Sequence, residues 1–175
     1  MGLRKDDRMV HEGHKTKQKT GMNEMFDVFF SKEKFDTIIE IGTLPGGFAL
    51  YLAEKSQDMG AKFYTFDIRQ ANTNLIDKLE SFGAKFFKQN VVENKTISKL
   101  IQSGGRVLLL NDGIKVPAFK KFAPDLKIND CIFTHDYKHE WQFSDISECI
   151  NTNNLKVINE EFEEYLWLCC VKGVQ

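Results

Sequence analysis

Short apolar runs alternate with amphipathic stretches along most of the chain. Ile38, Ile39 and Ile41 lie in a run that reads as a buried strand, and Phe48, Leu50, Tyr51 and Leu52 fit the buried side of a following helix. AKFYTFDI, residues 61–68, predicts a second strand ending in Asp67, and Leu75, Ile76, Leu79 and Phe82 mark a helix face that Gly83 stops. A third strand, AKFFKQN, runs to Asn90, with a short helix around Ile97, Leu100 and Ile101 after it. RVLLLNDG (106–113) is the fourth strand, a helical segment spans Val116 to Phe122, and DCIFTHDY (130–137) is the fifth strand. Strands and helices alternating at this spacing predict a mainly parallel sheet covered on both faces. The end of the chain breaks the rhythm: LKVINEEF from Leu155 and YLWLCCVKG from Tyr165 are close in sequence and predict an antiparallel hairpin.

Ahead of the first strand, Met22, Met25, Phe26, Phe29 and Phe30 recur at helical spacing and predict a helix on the sheet edge. Residues 1–21 are polar, rich in Lys, Arg and His, and without apolar periodicity; they read as a mobile arm, leaving 22–175 as one domain. At 175 residues the chain can bury a sizeable core, and its net charge of −1 gives no global attraction to nucleic acid. No apolar run reaches the ~18 residues of a membrane span and the charged start lacks a signal-peptide core, so a soluble, cytoplasmic protein without membrane contact is expected. Cys131, Cys149, Cys169 and Cys170 have no C-x-x-C spacing and read as reduced thiols, buried as cysteines usually are.

Candidate chemistry begins in TIIEIGTLPGGFALYLAE, Thr37 to Glu54, where a strand passes through a glycine-rich turn into a helix. Such a turn presents free backbone N–H groups and the positive end of a helix to a ligand. A dinucleotide-binding G-x-G-x-x-G would want a glycine where Leu44 stands, and Glu40 would repel a pyrophosphate. The pattern E-x-G-x-x-x-G instead resembles motif I of class I S-adenosylmethionine-dependent methyltransferases. That resemblance implies a Rossmann-like, doubly wound α/β fold: five parallel β/α units followed by a C-terminal antiparallel hairpin. It also implies cofactor contacts by Glu40, Gly42, Thr43, Gly46 and Gly47.

In open α/β sheets, ligands lie across the carboxyl ends of the strands. Asp67 there could accept hydrogen bonds from both ribose hydroxyls, and Asn90, or Gln89 beside it, could read the adenine edge. Asp112 and Asp136 would meet at one edge of the cleft. Two carboxylates suffice for a magnesium-type cation, with His135 as a further nitrogen ligand. Lys115, three residues after Asp112, could then act as a general base if desolvation and the cation lowered its pKa. The Asp-x-x-Lys spacing resembles catechol-type O-methyltransferases, in which that Asp binds metal and that Lys is the base. The wider stretch, 36–137, resembles the cephalosporin hydroxylase and rhamnosyl O-methyltransferase family. A metal-free site, with Asp112 touching only cofactor, is the alternative.

These resemblances imply O-methylation of a small molecule or sugar, with S-adenosylmethionine and Mg2+ as cofactors and Asp112 and Lys115 as catalytic residues. Trp141 and Phe143 are candidates for acceptor contact. LPGGFALYL also resembles a motif of RNA ribose 2′-O-methyltransferases; Lys17 or Lys19, Asp112 and Glu163 or Glu164 could supply three members of their Lys-Asp-Lys-Glu set, but Lys138 is displaced from the remaining position. A third reading is a cofactor-binding module that keeps the fold without catalysis. His11, His14 and His139 lack metal-ligand spacing and read as loop histidines.

Overall fold

The computed structural model describes residues 8–93 and 95–174. Its centre is a strand of five buried residues, β3 (Thr37–Ile41), the first strand expected from the apolar pattern. Around it a seven-stranded sheet is built from β4 (Lys62–Asp67), β5 (Lys85–Lys88), β6 (Val107–Asn111), β7 (Cys131–Thr134), β8 (Leu155–Ile158) and β9 (Leu168–Lys172), in the order β5-β4-β3-β6-β7-β9-β8. The first five are parallel, while β9 runs antiparallel to both β7 and β8. The strand order reverses at β3, so the clefts beside its carboxyl end open where chain leaves in opposite directions.

Side chains alternate across β3 and divide the core into two layers. Ile38 packs with α1 (Met22–Lys32), α2 (Gly47–Met59) and α3 (Thr73–Ser81) through Phe26, Phe29, Phe48, Leu52 and Leu75. Ile39 and Ile41 pack on the opposite face with α4 (Thr96–Ser103), α5 (Lys115–Phe122) and α6 (Ser147–Thr152) through Ile97, Ile101, Phe119, Phe122 and Ile150. Phe26 is the hub of an aromatic cluster, with ring centroids 5.4 Å from Phe48, 5.1 Å from Phe162 and 6.0 Å from Trp167. No helix among the described residues is long and apolar enough to cross a membrane. All four cysteines are free; Cys131, Cys169 and Cys170 are buried and Cys149 is half-buried.

Two expectations are corrected. Residues 8–19 form a hairpin, β1 (Arg8–His11) and β2 (His14–Lys19), where a mobile arm was expected; residues 1–7 lie outside the described residues. The hairpin turns at Glu12 (φ 49°) and Gly13 (φ 77°), the positive-φ pair that a tight two-residue hairpin requires. It buries the polar Thr16 and Gln18 against the body of the protein, so no hydrophobic alternation marks it. The terminal strands do pair antiparallel, but the connection is longer than expected. A 3-10 helix (Glu160–Tyr165) intervenes, with Phe162 buried among charged neighbours.

Candidate functional site

The carboxyl ends of β3, β4 and β6 are locked in line by backbone bonds that continue past the strands. Gly42 N–H donates to Phe66 O at 2.7 Å and Asp112 N–H to Ile41 O at 2.8 Å. Gly42 has φ +104°, and a Cβ there would stand 2.9 Å from the Asp112 backbone. Glycine is therefore required so that the first turn can lie directly on the turn after β6. The two turns and the end of β4 enclose a cavity of about 320 Å³. Asp67, Gln89, Asp112, Lys17 and Arg69 supply its polar lining, while Phe66, Val91 and Ile114 are among its apolar walls. Its size and its mixture of apolar wall with a few polar groups match a small-molecule cofactor site.

Asp67 closes β4 as expected and is 7 % exposed. One carboxylate oxygen, Oδ2, accepts from Leu44 N–H (3.0 Å) and retains a second lone pair for a ligand hydroxyl; the other, Oδ1, accepts from Arg69 N–H (2.9 Å) and, more weakly, from Arg69 Nε (3.4 Å). Of the two candidates for the adenine edge, Gln89 lines the cavity and its buried Oε1 has no hydrogen-bond partner. Asn90 is not among the lining residues and accepts from Val92 N–H. The unsatisfied amide oxygen in an apolar-walled cavity is what a ligand donor would complete.

The remaining motif I residues stand behind the cavity. Thr43 and Thr65 share a hydrogen bond of 2.6 Å, and Thr65 donates to Glu40 Oε2 at 2.5 Å. Glu40 is 1 % exposed, its Oε1 has no partner, and burial pushes its carboxyl up to about 8. At Gly46 and Gly47 the lack of a side chain is required by packing. A Cβ on Gly46 would fall 2.5 Å from Leu75, and one on Gly47 would fall 2.4 Å from the His14 carbonyl oxygen. Gly47→Ala should therefore lift the β1–β2 hairpin, costing about 1–3 kcal/mol. Faster amide hydrogen exchange in β2 is the expected signature; unchanged protection there would mean that the hairpin absorbs the methyl group.

Beside the cavity, Asp112, Lys115, His135 and Asp136 form one ion-paired cluster. Lys115 Nζ lies 2.8 Å from Asp112 Oδ1 and 2.9 Å from Asp136 Oδ2. His135 Nδ1 lies 2.9 Å from Asp112 Oδ1 and 3.4 Å from Asp136 Oδ1. Burial alone would lower the Lys115 and His135 pKa values, but the two carboxylates outweigh it and raise both. Against burial, His135 and Lys115 hold Asp112 and Asp136 below the usual carboxylate range. Lys115 is thus an ammonium held between two carboxylates; the lowered pKa expected for base catalysis depends on a bound cation. Asp136 has a left-handed backbone (φ 60°), a conformation that an Asp tolerates better than most residues.

The three expected metal ligands do converge, since ligand atoms of Asp112, His135 and Asp136 all lie within 4.8 Å of one another. As folded, however, the Lys115 ammonium stands between the carboxylates and His135 presents Nδ1 to both of them. The Lys115 ammonium already occupies the space between the carboxylates, and this arrangement does not fit a divalent cation unless Lys115 withdraws.

Gln18 is the residue that sequence reasoning missed. Its Nε2 donates to the second Asp112 oxygen at 2.9 Å, and its Oε1 accepts from Trp167 Nε1 at 3.2 Å. The hairpin thereby clasps the cluster, while Lys17 beside it lines the cavity. Trp141 is buried, donating from Nε1 to the His135 carbonyl at 2.7 Å, and so is a structural rivet. Phe143 is 42 % exposed. Of the residues singled out for RNA chemistry, Lys17 and Asp112 share the cavity, whereas Lys19 bonds the Glu164 carbonyl and Lys138 pairs with Glu163 at 2.5 Å. His11 pairs with Glu54 at 2.9 Å, fastening the hairpin to α2.

No protein-family model matches the sequence, and comparison with curated proteins finds no match. Solved structures do match. CmcI-N160 in its apo form superposes with a TM-score of 0.74 at 13 % identity, covering 100 % of this chain and 80 % of that one. CmcI-D160 described with Mg and SAM gives 0.59 at 14 % identity, over 95 % and 68 % of the two chains. The O-methyltransferase TomG from Streptomyces achromogenes, in complex with SAM, gives 0.56 at 10 % identity, over 87 % and 80 %. The chain has the class I methyltransferase fold. At these identities the likeness concerns the fold, and within a class I methyltransferase fold the cavity at the ends of β3, β4 and β6 lies at the strand-order reversal, where open α/β sheets bind their ligands.

Proposed function

We propose that this protein is an S-adenosylmethionine-dependent O-methyltransferase acting on a small-molecule or sugar hydroxyl. The observation that carries the reading is the cavity of about 320 Å³ that groups Asp67, Gln89 and Asp112 at the ends of three parallel strands. The O-methyltransferase TomG and the Mg- and SAM-bound CmcI, both of like fold, support it. In this reading Asp67 holds the ribose hydroxyls, Gln89 the adenine edge and Asp112 the methionine end. S-adenosylmethionine, when bound, supplies an electrophilic methyl group.

Lys115 then works as a fixed cation. As the methyl passes from sulfur to the acceptor oxygen, that oxygen gives up electron density and must shed its proton; the Lys115 ammonium, held beside the cavity by the Asp112 carbonyl and the two carboxylates, favours that deprotonation through its charge. The proton passes to water at the cavity mouth, where Asp136 is 19 % exposed; its carboxylate, held below the usual range, orients that water and does not keep the proton.

Calorimetric titration with S-adenosylhomocysteine tests the reading. Micromolar binding, about −8 kcal/mol, is expected, with no binding of NAD and no change on adding magnesium. If neither nucleotide binds, the cofactor reading fails and the module without catalysis takes its place. Asp67→Ala is expected to weaken the cofactor by about 1.5–3 kcal/mol, the loss of a charged hydrogen-bonding partner. Unchanged affinity would mean that the ribose is held elsewhere.

A further inference from the structure

A second depression adjoins the cofactor cavity and has a different chemistry. It is an open groove of about 490 Å³ with Arg8, Lys17 and Arg69 on its walls and Gln70 and Asn72 beside them. Among the described residues no carboxylate lines it, although acidic residues outnumber basic ones over the whole chain, 25 to 24. Lys17, Leu44 and Arg69 line both depressions, so the groove runs directly into the cavity.

The cations are available to a ligand. Arg8 and Lys17 are exposed and make no ion pair or side-chain hydrogen bond among the described residues. Arg69 is loosely tied, its Nε 3.4 Å from Asp67 Oδ1, and its side chain is 62 % exposed. The N-terminal hairpin contributes two of the three cations, and its Gln18 clasp to Asp112 fixes their position over the cavity mouth. Two guanidinium groups and an ammonium around one polar groove match the oxygens of a phosphate, which arginine can bind in bidentate fashion.

We infer that this groove binds a phosphate ester carried by the methyl acceptor, a role that rests on the methyltransferase reading for its purpose though not for the binding itself. The phosphate is either a monoester on a small molecule or part of a nucleic-acid strand. It would anchor the acceptor at the groove while its hydroxyl enters beside Lys115.

The test is a set of low-salt titrations of the protein saturated with S-adenosylhomocysteine, using uridine, 5′-UMP and a ten-residue oligouridylate. UMP or the oligonucleotide is expected to bind at least tenfold more tightly than uridine, with Arg8→Glu and Lys17→Glu each weakening that binding tenfold or more. Equal affinity of UMP and oligouridylate would identify a monoester acceptor; tighter, steeply salt-dependent binding of the oligonucleotide would identify a strand. Binding no better than that of uridine, or unmoved by both substitutions, would overturn the inference. A separate titration with S-adenosylhomocysteine alone keeps the two claims apart. If it fails while UMP or the oligonucleotide still binds in an Arg8-dependent way, the cofactor reading falls and the groove stands.

Discussion

Replacing Asp112 by alanine is expected to cost the fold about 3–5 kcal/mol and to abolish methyl transfer, because this one carboxylate neutralises Lys115 and His135 and anchors Gln18. Its side chain is 8 % exposed, so water cannot replace what is lost. Only Asp136 would remain beside the buried Lys115 and His135. Asp112→Asn keeps an acceptor oxygen without the charge and should fall between wild type and alanine in stability, with turnover still absent. Urea unfolding and a methyl-transfer assay separate the two effects. An alanine variant as stable as the wild type would mean that Asp136 alone balances the cluster. The pH dependence has a definite sign. Asp112 and Asp136 have folded-state pKa values below their ordinary ones, so their contribution is present above the usual value of 3.8 and is lost as pH falls through the depressed values. Acid should therefore loosen the hairpin clasp along with the cluster.

Much of this architecture is written in periodicity. β3, β6 and β7 are buried throughout, and such strands announce themselves as apolar runs with polar residues at their ends. That is why Asp67, Asp112, His135 and Asp136 could be singled out as strand-terminal groups, and the structure does gather the last three into one cluster with Lys115. The β1–β2 hairpin was illegible for a physical reason. Its buried face carries Thr16 and Gln18, which are satisfied by local bonds and by Asp112, and only Met9 as a buried apolar residue, so burial left no hydrophobic alternation. Only the Glu12-Gly13 turn pointed to it. Gln89 could be told from Asn90 only once the end of β5 was fixed in space. The pairing of Lys115 with both Asp112 and Asp136 depends on where the turns after β6 and β7 meet, which spacing along the chain does not specify.

Glu40 is expected to make the protein less stable as pH rises from about 4.5 to about 8. Burial, opposed by the Thr65 hydrogen bond and reinforced by Asp112 and Asp67, raises its pKa from 4.5 to about 8. In that window the folded chain holds a proton that the unfolded chain has released, so stability from this group is complete below about 4.5 and lost on the way to 8. At about 1.4 kcal/mol per pH unit the full effect is on the order of 5 kcal/mol, a large share of the stability of a domain. Glu40→Gln removes the titration but leaves an amide N–H group where Oε1 has no partner, a cost of about 1–3 kcal/mol. The variant should thus be the weaker protein at pH 5 and the stronger one at pH 9, with unfolding curves that cross between. Urea midpoints across that range decide the matter. Parallel curves would show that Glu40 titrates as an ordinary carboxylate and that water or a rearranged Thr43–Thr65 pair solvates it. Crossing curves would mean that the turn carrying Gly42 is backed by a neutral acid at neutral pH. Of the carboxylates around the cofactor cavity, Asp67 and Asp112 would then supply the negative charge, Asp112 being already balanced by its own cations.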